Sequence, residues 1–248
     1  MALKPLRILC FGDSLTSGYF CFGMDSHPYS LKLEDKLTGA LPEFDVQIVT
    51  NGVPGDVATF KRFTDRMREE CDKRYFDWAI VLAGTNDLAY GISTASIYES
   101  LQETWNIPLS KAGKVLALTV PECEARGEKL TRRRDELNNS IMNHQQPNFH
   151  SFDLKSHIPY HSLSEADREK YWDDGLHLRD DGYDWMGDHI ANALIRIIRE
   201  EGEPGPASAT TRRRLSKQAR YEAALAEETG NPRNISEGYV VVRKKDLD

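Results

Sequence analysis

Apolar residues in this chain fall into short unbroken runs, separated by longer stretches in which they recur every three or four positions. The runs Ile8–Phe11, Val46–Val49, Trp78–Ala83 and Lys114–Val120 predict buried strands, and Phe149–Leu154 predicts a weaker fifth. At Trp78–Ala83 the hydrophobicity is continuous rather than alternating, which implies burial on both faces, as in a parallel sheet covered by helices. Between the runs, helical periodicity predicts one helix over Pro28–Leu41, through Leu33, Leu37, Ala40 and Leu41. It predicts a second over Val57–Lys73, through Phe60, Phe63, Met67 and Cys71. Ser96, followed by Glu99, reads as a capping box opening a third, with Ile97, Leu101 and Trp105 inward and Pro108 kinking or dividing it. A fourth carries Leu130, Arg134, Leu137, Ile141 and His144 on one face. Ser164 opens a short charged helix, and Asp180 caps a long one whose inner side is Tyr183, Met186, Ile190, Ala193, Leu194 and Ile197. Strands alternating with helices in this way give an α/β fold with a five-stranded, mainly parallel sheet.

Hydrophobic residues make up 40% of the chain, enough for a substantial core, and the periodic pattern places that core in residues 1–201. At Gly202 the composition changes to Gly, Pro, Ser and Ala, so residues 202–211 read as a linker. Residues 212–248 hold nine Lys/Arg against six Asp/Glu, a basic appendage that is helical in part or flexible. The whole chain has a net charge of -7, which argues against a nucleic-acid surface. Only four or five apolar residues precede Gly12, too few for a signal-peptide core or a membrane span, so the expected location is the cytoplasm. Cys10, Cys21, Cys71 and Cys123 are scattered without a Cys-x-x-Cys spacing, so free thiols are expected and no metal site.

The chemistry collects where strands end. The first run breaks into Gly12-Asp13-Ser14, the second leads to the loop Asn51–Asp56, and the third ends in Gly84-Thr85-Asn86-Asp87. Carboxyl ends of parallel strands share one edge of the sheet, so three polar loops converge there. A serine hydroxyl becomes a useful nucleophile only beside a general base, with a third group to orient that base. Asp174 and His177 stand three residues apart just before the last helix, a spacing that lets one tight turn present both; Asp173 is a rival for the acid. Donors for a developing oxyanion are also at hand in the Ser14 N–H, the Gly55 N–H and the Asn86 amide. Singly, Ser14 reads as a helix cap, Asp174 as a helix-end charge and His177 as a surface histidine.

Gly12-Asp13-Ser14-Leu15-Thr16, Gly55-Asp56, Gly84-Thr85-Asn86-Asp87 and Asp174-Gly175-Leu176-His177 together resemble the four blocks of the GDSL-type SGNH hydrolases, in that family's order. The resemblance spans roughly residues 6–200 and looks closest to a fungal intracellular branch. It implies a three-layer α/β/α flavodoxin-like fold and no metal or organic cofactor. It also implies a triad of Ser14, His177 and Asp174, and an oxyanion hole from Ser14, Gly55 and Asn86. Gly55 rather than Gly52 matches the second block because Asp56 follows it, and Asp13 reads as structural. The activity implied is cleavage of a small-molecule carboxylic ester through an acyl-enzyme, by an esterase or lipase.

Tyr19, Phe20, Phe22, Tyr90 and Trp172 form a candidate apolar rim for the substrate, each equally readable as core. Carbohydrate deacetylase and thioesterase are the alternatives among hydrolases. A flavodoxin-like domain holding a ligand without catalysis is the alternative outside them, though no Gly-x-Gly-x-x-Gly or P-loop pattern accompanies it.

Overall fold

The computed structural model describes residues 3–202; the linker beyond Gly202 and the basic segment 212–248 lie outside the described residues. β1 (Lys4–Gly12) leads into the single turn α1 (Ser14–Ser17) and a small hairpin, β2 (Tyr19–Phe20) and β3 (Asp25–Ser26). α2 (Tyr29–Ala40) and β4 (Phe44–Gly52) follow, then α3 (Lys61–Lys73) and β5 (Trp78–Leu82). α4 (Thr85–Ala89) and α5 (Thr94–Ser110) precede β6 (Lys114–Leu118), and α6 (Glu128–Met142) precedes β7 (Phe149–Phe152). α7 (Leu154–His157), α8 (Glu165–Tyr171) and α9 (Asp180–Gly202) complete the described chain.

The main sheet has the order β4-β1-β5-β6-β7, with every pair parallel. The chain therefore winds one way from β1 to β4 and the other way from β5 onward. Its switch point lies between β1 and β5, where α/β sheets of this doubly wound type open a crevice at the carboxyl ends of their strands. Alternation along β1 supplies both layers. Ile8 and Cys10 pack with Leu33 and Leu37 of α2 and Ile190 and Leu194 of α9. Leu9 and Phe11 pack on the opposite face with Phe63 and Met67 of α3, Leu101 and Trp105 of α5, and Leu137 of α6. All of these side chains are fully buried, and each large aliphatic one contributes about 1.5–3 kcal/mol by leaving water.

Three sequence expectations shift for identifiable reasons. β1 and β4 are longer than their apolar runs, because the parallel ladder pairs Lys4 with Phe44 through to Gly12 with Gly52, and backbone pairing does not require apolar side chains. α3 begins at Lys61 rather than Val57, since the backbone N–H groups of Ala58 and Thr59 are taken by the carboxylate of Asp87 at 2.9 and 3.0 Å, and Phe60 is left half exposed. α5 is capped by Ser93, whose Oγ accepts from the Ser96 N–H at 3.1 Å, and Pro108 sits in its final turn without dividing it. His144 lies just beyond α6, where its ring meets Trp105 and Phe149 at 5.2 and 4.4 Å and its Nδ1 meets the Tyr98 hydroxyl at 2.8 Å.

Candidate active site

Gly12 ends β1 in a place with no room for a side chain: a Cβ there would meet the Leu82 carbonyl at 2.2 Å. Asp13 follows as the cap of α1, its Oδ1 accepting the Leu15 N–H at 3.0 Å, and Ser14 is thereby presented at the first helical position. On the far side of the switch point, Gly84 adopts a φ of 111° between β5 and α4, which brings Asn86 round beside the serine loop. Asn86 Nδ2 donates to the Asp56 carbonyl at 2.8 Å, tying the third polar loop to the second. In that second loop Gly55 has a φ of 75°, a left-handed conformation that glycine adopts without strain.

The last loop arrives between α8 and α9. A bridge between Trp172 and Leu178 and a 2.8 Å bond from the Asp173 N–H to the His177 carbonyl close it into a tight turn. Within the turn Asp174 Oδ1 accepts the N–H groups of Leu176 and His177 at 3.0 and 2.8 Å, leaving Oδ2 to meet His177 Nδ1 at 2.8 Å. The other ring nitrogen, Nε2, lies 2.9 Å from Ser14 Oγ. The four atoms form a continuous chain from carboxylate to imidazole to hydroxyl. Partial burial pushes the Asp174 carboxyl upward, but the His177 and Leu176 N–H groups and the His177 ring outweigh it and hold it below its usual range. Asp173 points elsewhere: its Oδ2 accepts the Cys21 N–H at 2.7 Å and so braces the hairpin loop, whose Tyr19 ring stands 4.7 Å from the His177 ring.

Two further groups hold these loops together. Arg66, on α3, donates from Nη2 to the Gly12 carbonyl at 2.8 Å and to Asp56 Oδ2 at 2.9 Å, and from Nη1 to the Asn51 carbonyl at 2.7 Å. Its guanidinium also lies over the Phe11 ring, 4.1 Å from the centroid. Arg66 carries no sequence signal, because a polar residue on a strongly charged helix reads as solvated. Asp87, fully buried, is legible as part of the third block, yet its task of fixing the backbone at Ala58 and Thr59 is visible only in space. Burial, with the nearby Asp87 and Asp56 charges, pushes the Asp13 carboxyl up to about 7 despite its Leu15 N–H bond and Arg66. Its Oδ2 is buried without a partner. Among the described residues no cluster of His, Cys, Asp or Glu could hold a metal ion, and the four cysteines are free.

Residues 10–185 match the GDSL-like Lipase/Acylhydrolase family. The chain belongs to this family. An arylesterase from Vibrio mimicus is 22% identical over 194 residues, 77% of this chain and 90% of that protein. Among solved structures, the lipase/acylhydrolase from Enterococcus faecalis is 22% identical with a TM-score of 0.62, covering 77% of this chain and 96% of that one. An acetylxylan esterase from Geobacillus stearothermophilus is 17% identical with a TM-score of 0.64, covering 79% and 95%. At this level of identity the solved structures speak for the fold, a parallel α/β sheet with helices on both faces. As a GDSL-like acylhydrolase, the protein is a carboxylic ester hydrolase. No helix among the described residues is long and apolar enough to cross a membrane.

This acylhydrolase has a cavity of about 310 Å3 lined by Leu15, the residue after Ser14, and by Asn86 and Asp174. Its walls include Leu15, Asn86, Leu88, Val120, Pro121 and Leu130, together with Asp174, Gly175 and Leu176 of the last loop and Glu122, Cys123, Glu124 and Arg134. None of the five aromatic residues expected at a substrate rim lines it. Trp172 is buried in the α2/α9 layer and Phe20 packs against that layer. Phe22 and Tyr90 are largely exposed, and Tyr19 contacts the His177 ring. Aromatic type near a motif does not report facing; the cavity is built instead from α4, α6 and the segment after β6, which the sequence reading treated as a polar loop.

Proposed function

We propose that Ser14 is the nucleophile of this ester hydrolase, with His177 as its general base and acid and Asp174 as the group that orients His177. The observation that carries the reading is the Asp174–His177–Ser14 hydrogen-bond chain, at 2.8 and 2.9 Å. His177 Nε2 takes the proton of Ser14 Oγ as the oxygen attacks the ester carbonyl carbon. The tetrahedral intermediate collapses when His177 returns that proton to the departing alkoxide, leaving Ser14 acylated and the alcohol free. Water then attacks the acyl-enzyme with His177 again accepting its proton, and the acid departs as Ser14 Oγ regains a hydrogen. Asp174 stays ionised throughout and stabilises the imidazolium.

The oxyanion is held by the Ser14 N–H, the Gly55 N–H and the Asn86 amide. Neither backbone N–H donates to a protein acceptor among the described residues, and Asn86 uses one of its two amide hydrogens on Asp56, leaving the other for substrate. The cavity volume favours a short acyl or compact alcohol group over a long lipid chain. The aryl and acetyl esterases among the relatives favour the same substrates.

The test is hydrolysis of 4-nitrophenyl acetate and butyrate by wild type and Ser14→Ala, together with labelling by a fluorophosphonate. The reading expects turnover and Ser14 labelling in wild type, and neither in a folded Ser14→Ala. Wild-type turnover surviving in the variant would overturn it.

A further inference from the structure

Arg134 occupies the inner face of α6, where periodicity predicts an apolar residue, and it is only 4% exposed. It meets no carboxylate among the described residues. Its one side-chain hydrogen bond runs from Nη2 to Cys123 Sγ at 3.0 Å, and its Nε is buried without an acceptor. A guanidinium removed from water needs compensation by charge or strong acceptors, and a thiol is a weak, uncharged acceptor. The same chain shows the ordinary solution in Arg66, which meets Asp56 Oδ2 at 2.9 Å and two backbone carbonyls at 2.7 and 2.8 Å. Arg134 differs from Arg66 in a second respect: it lines the cavity that Asn86 and Asp174 also line.

We propose that Arg134 binds a free carboxylate on the substrate, so that the enzyme prefers esters of short dicarboxylic acids or of carboxylate-bearing alcohols. This rests on the reading of Ser14 as the nucleophile. The guanidinium offers a planar fork of donors matched to a carboxylate, and an incoming anion supplies both the missing acceptor and the missing counter-charge. Leu88, Val120 and Leu130 line the same cavity and suit the few methylenes that separate an ester from a second carboxylate. Of the two acidic residues there, Glu122 has its Oε2 engaged by the Tyr160 and His161 N–H groups at 3.0 and 3.1 Å, and Glu124 lies against Gly175. Neither is paired with Arg134.

The experiment compares isosteric esters differing by one charge: mono-4-nitrophenyl glutarate against 4-nitrophenyl pentanoate, and acetyl 4-hydroxybenzoate against acetyl 4-methylphenol, each corrected for its enzyme-free rate. Wild type should favour the anionic member of at least one pair by about tenfold or more in kcat/KM, the range of a charge-assisted contact. Arg134→Gln should bring that ratio near one, and Arg134→Lys should fall between. Free glutarate should inhibit wild type competitively and more strongly than pentanoate, a measurement that needs no variant. Equal rates within both pairs, or a preference for the cationic ester 4-nitrophenyl 4-aminobutyrate, would overturn the proposal. If no ester is hydrolysed and Ser14 is not labelled, the nucleophile assignment fails instead. Calorimetric binding of glutarate to wild type but not to Arg134→Gln then still decides the role of Arg134.

Discussion

Arg66 holds the carbonyl of Gly12, two residues before Ser14, through a hydrogen bond of 2.8 Å from Nη2. The same nitrogen reaches Asp56 Oδ2 at 2.9 Å, so one side chain on α3 fixes the serine loop relative to the loop that carries Gly55. Asp56 is almost completely buried, and Arg62 Nε meets its other oxygen at 2.7 Å from a much more exposed position.

Arg66→Met should therefore destabilise the fold by on the order of 3 kcal/mol, because it leaves the buried Asp56 carboxylate with the Val57 N–H and, as counter-charge, the more exposed Arg62. The urea midpoint would drop with little change in slope. The kcat of the folded fraction should fall as well, since the Gly12 carbonyl loses its anchor; full activity and unchanged stability would refute the bracing role.

Asp174→Asn and Asp173→Asn separate two neighbours that sequence leaves as rivals. The first removes the carboxylate from His177 Nδ1 and should cost about a thousandfold or more in kcat with little loss of stability. The second weakens the bond to the Cys21 N–H and should cost mainly stability of the hairpin loop, with kcat within about tenfold. Steady-state kinetics with matched thermal melts distinguishes the two, and a reversed order would contradict the geometry.

Asn86→Ala should lower kcat by about a hundredfold or more while leaving KM nearly unchanged, the pattern for a donor whose bond strengthens in the transition state. It also removes the bond to the Asp56 carbonyl, so a small decrease in Tm is expected. A rise in KM at constant kcat would instead mark Asn86 as a ground-state contact.

Asp13 makes stability depend on pH near neutrality. Its folded pKa is raised to about 7, so the folded state binds this proton more tightly than the unfolded state. That contribution is complete below the ordinary carboxylate range and is lost as pH rises through about 7. Asp13→Asn keeps an oxygen for the Leu15 N–H and cannot titrate, so its unfolding free energy should decline less than that of wild type between about pH 4 and 7. Parallel slopes for the two proteins would show that Asp13 does not titrate in this window.

Ester turnover should fall on acidification, because a protonated His177 cannot accept the Ser14 proton. Asp174 is held below its usual carboxylate range, so it remains charged while this happens, and its stabilising contribution is lost only as pH falls through that lowered value. A kcat/KM that did not fall at any acidic pH at which the protein stays folded would count against His177 as the base.

The sequence by itself determined the strands, their mainly parallel arrangement and the residues at their carboxyl ends. These are local properties: an apolar run of strand length, a break at glycine, a polar side chain at the break. Ser14, Asn86 and the Asp174–His177 turn were legible for that reason, and four short blocks in a fixed order named the family. Where an element began was less legible at β1, α3 and α5, since ladder pairing with β4, the Asp87 carboxylate and the Ser93 hydroxyl decided those ends from outside the apolar pattern. The tertiary structure alone decided which of two adjacent aspartates meets His177, because a one-residue step in a tight turn reverses where a side chain points. It alone showed Arg66 gathering two loops, and it alone showed a cavity lined by Arg134. The last two depend on residues far apart in the chain, brought together by packing that leaves no periodic trace in the sequence.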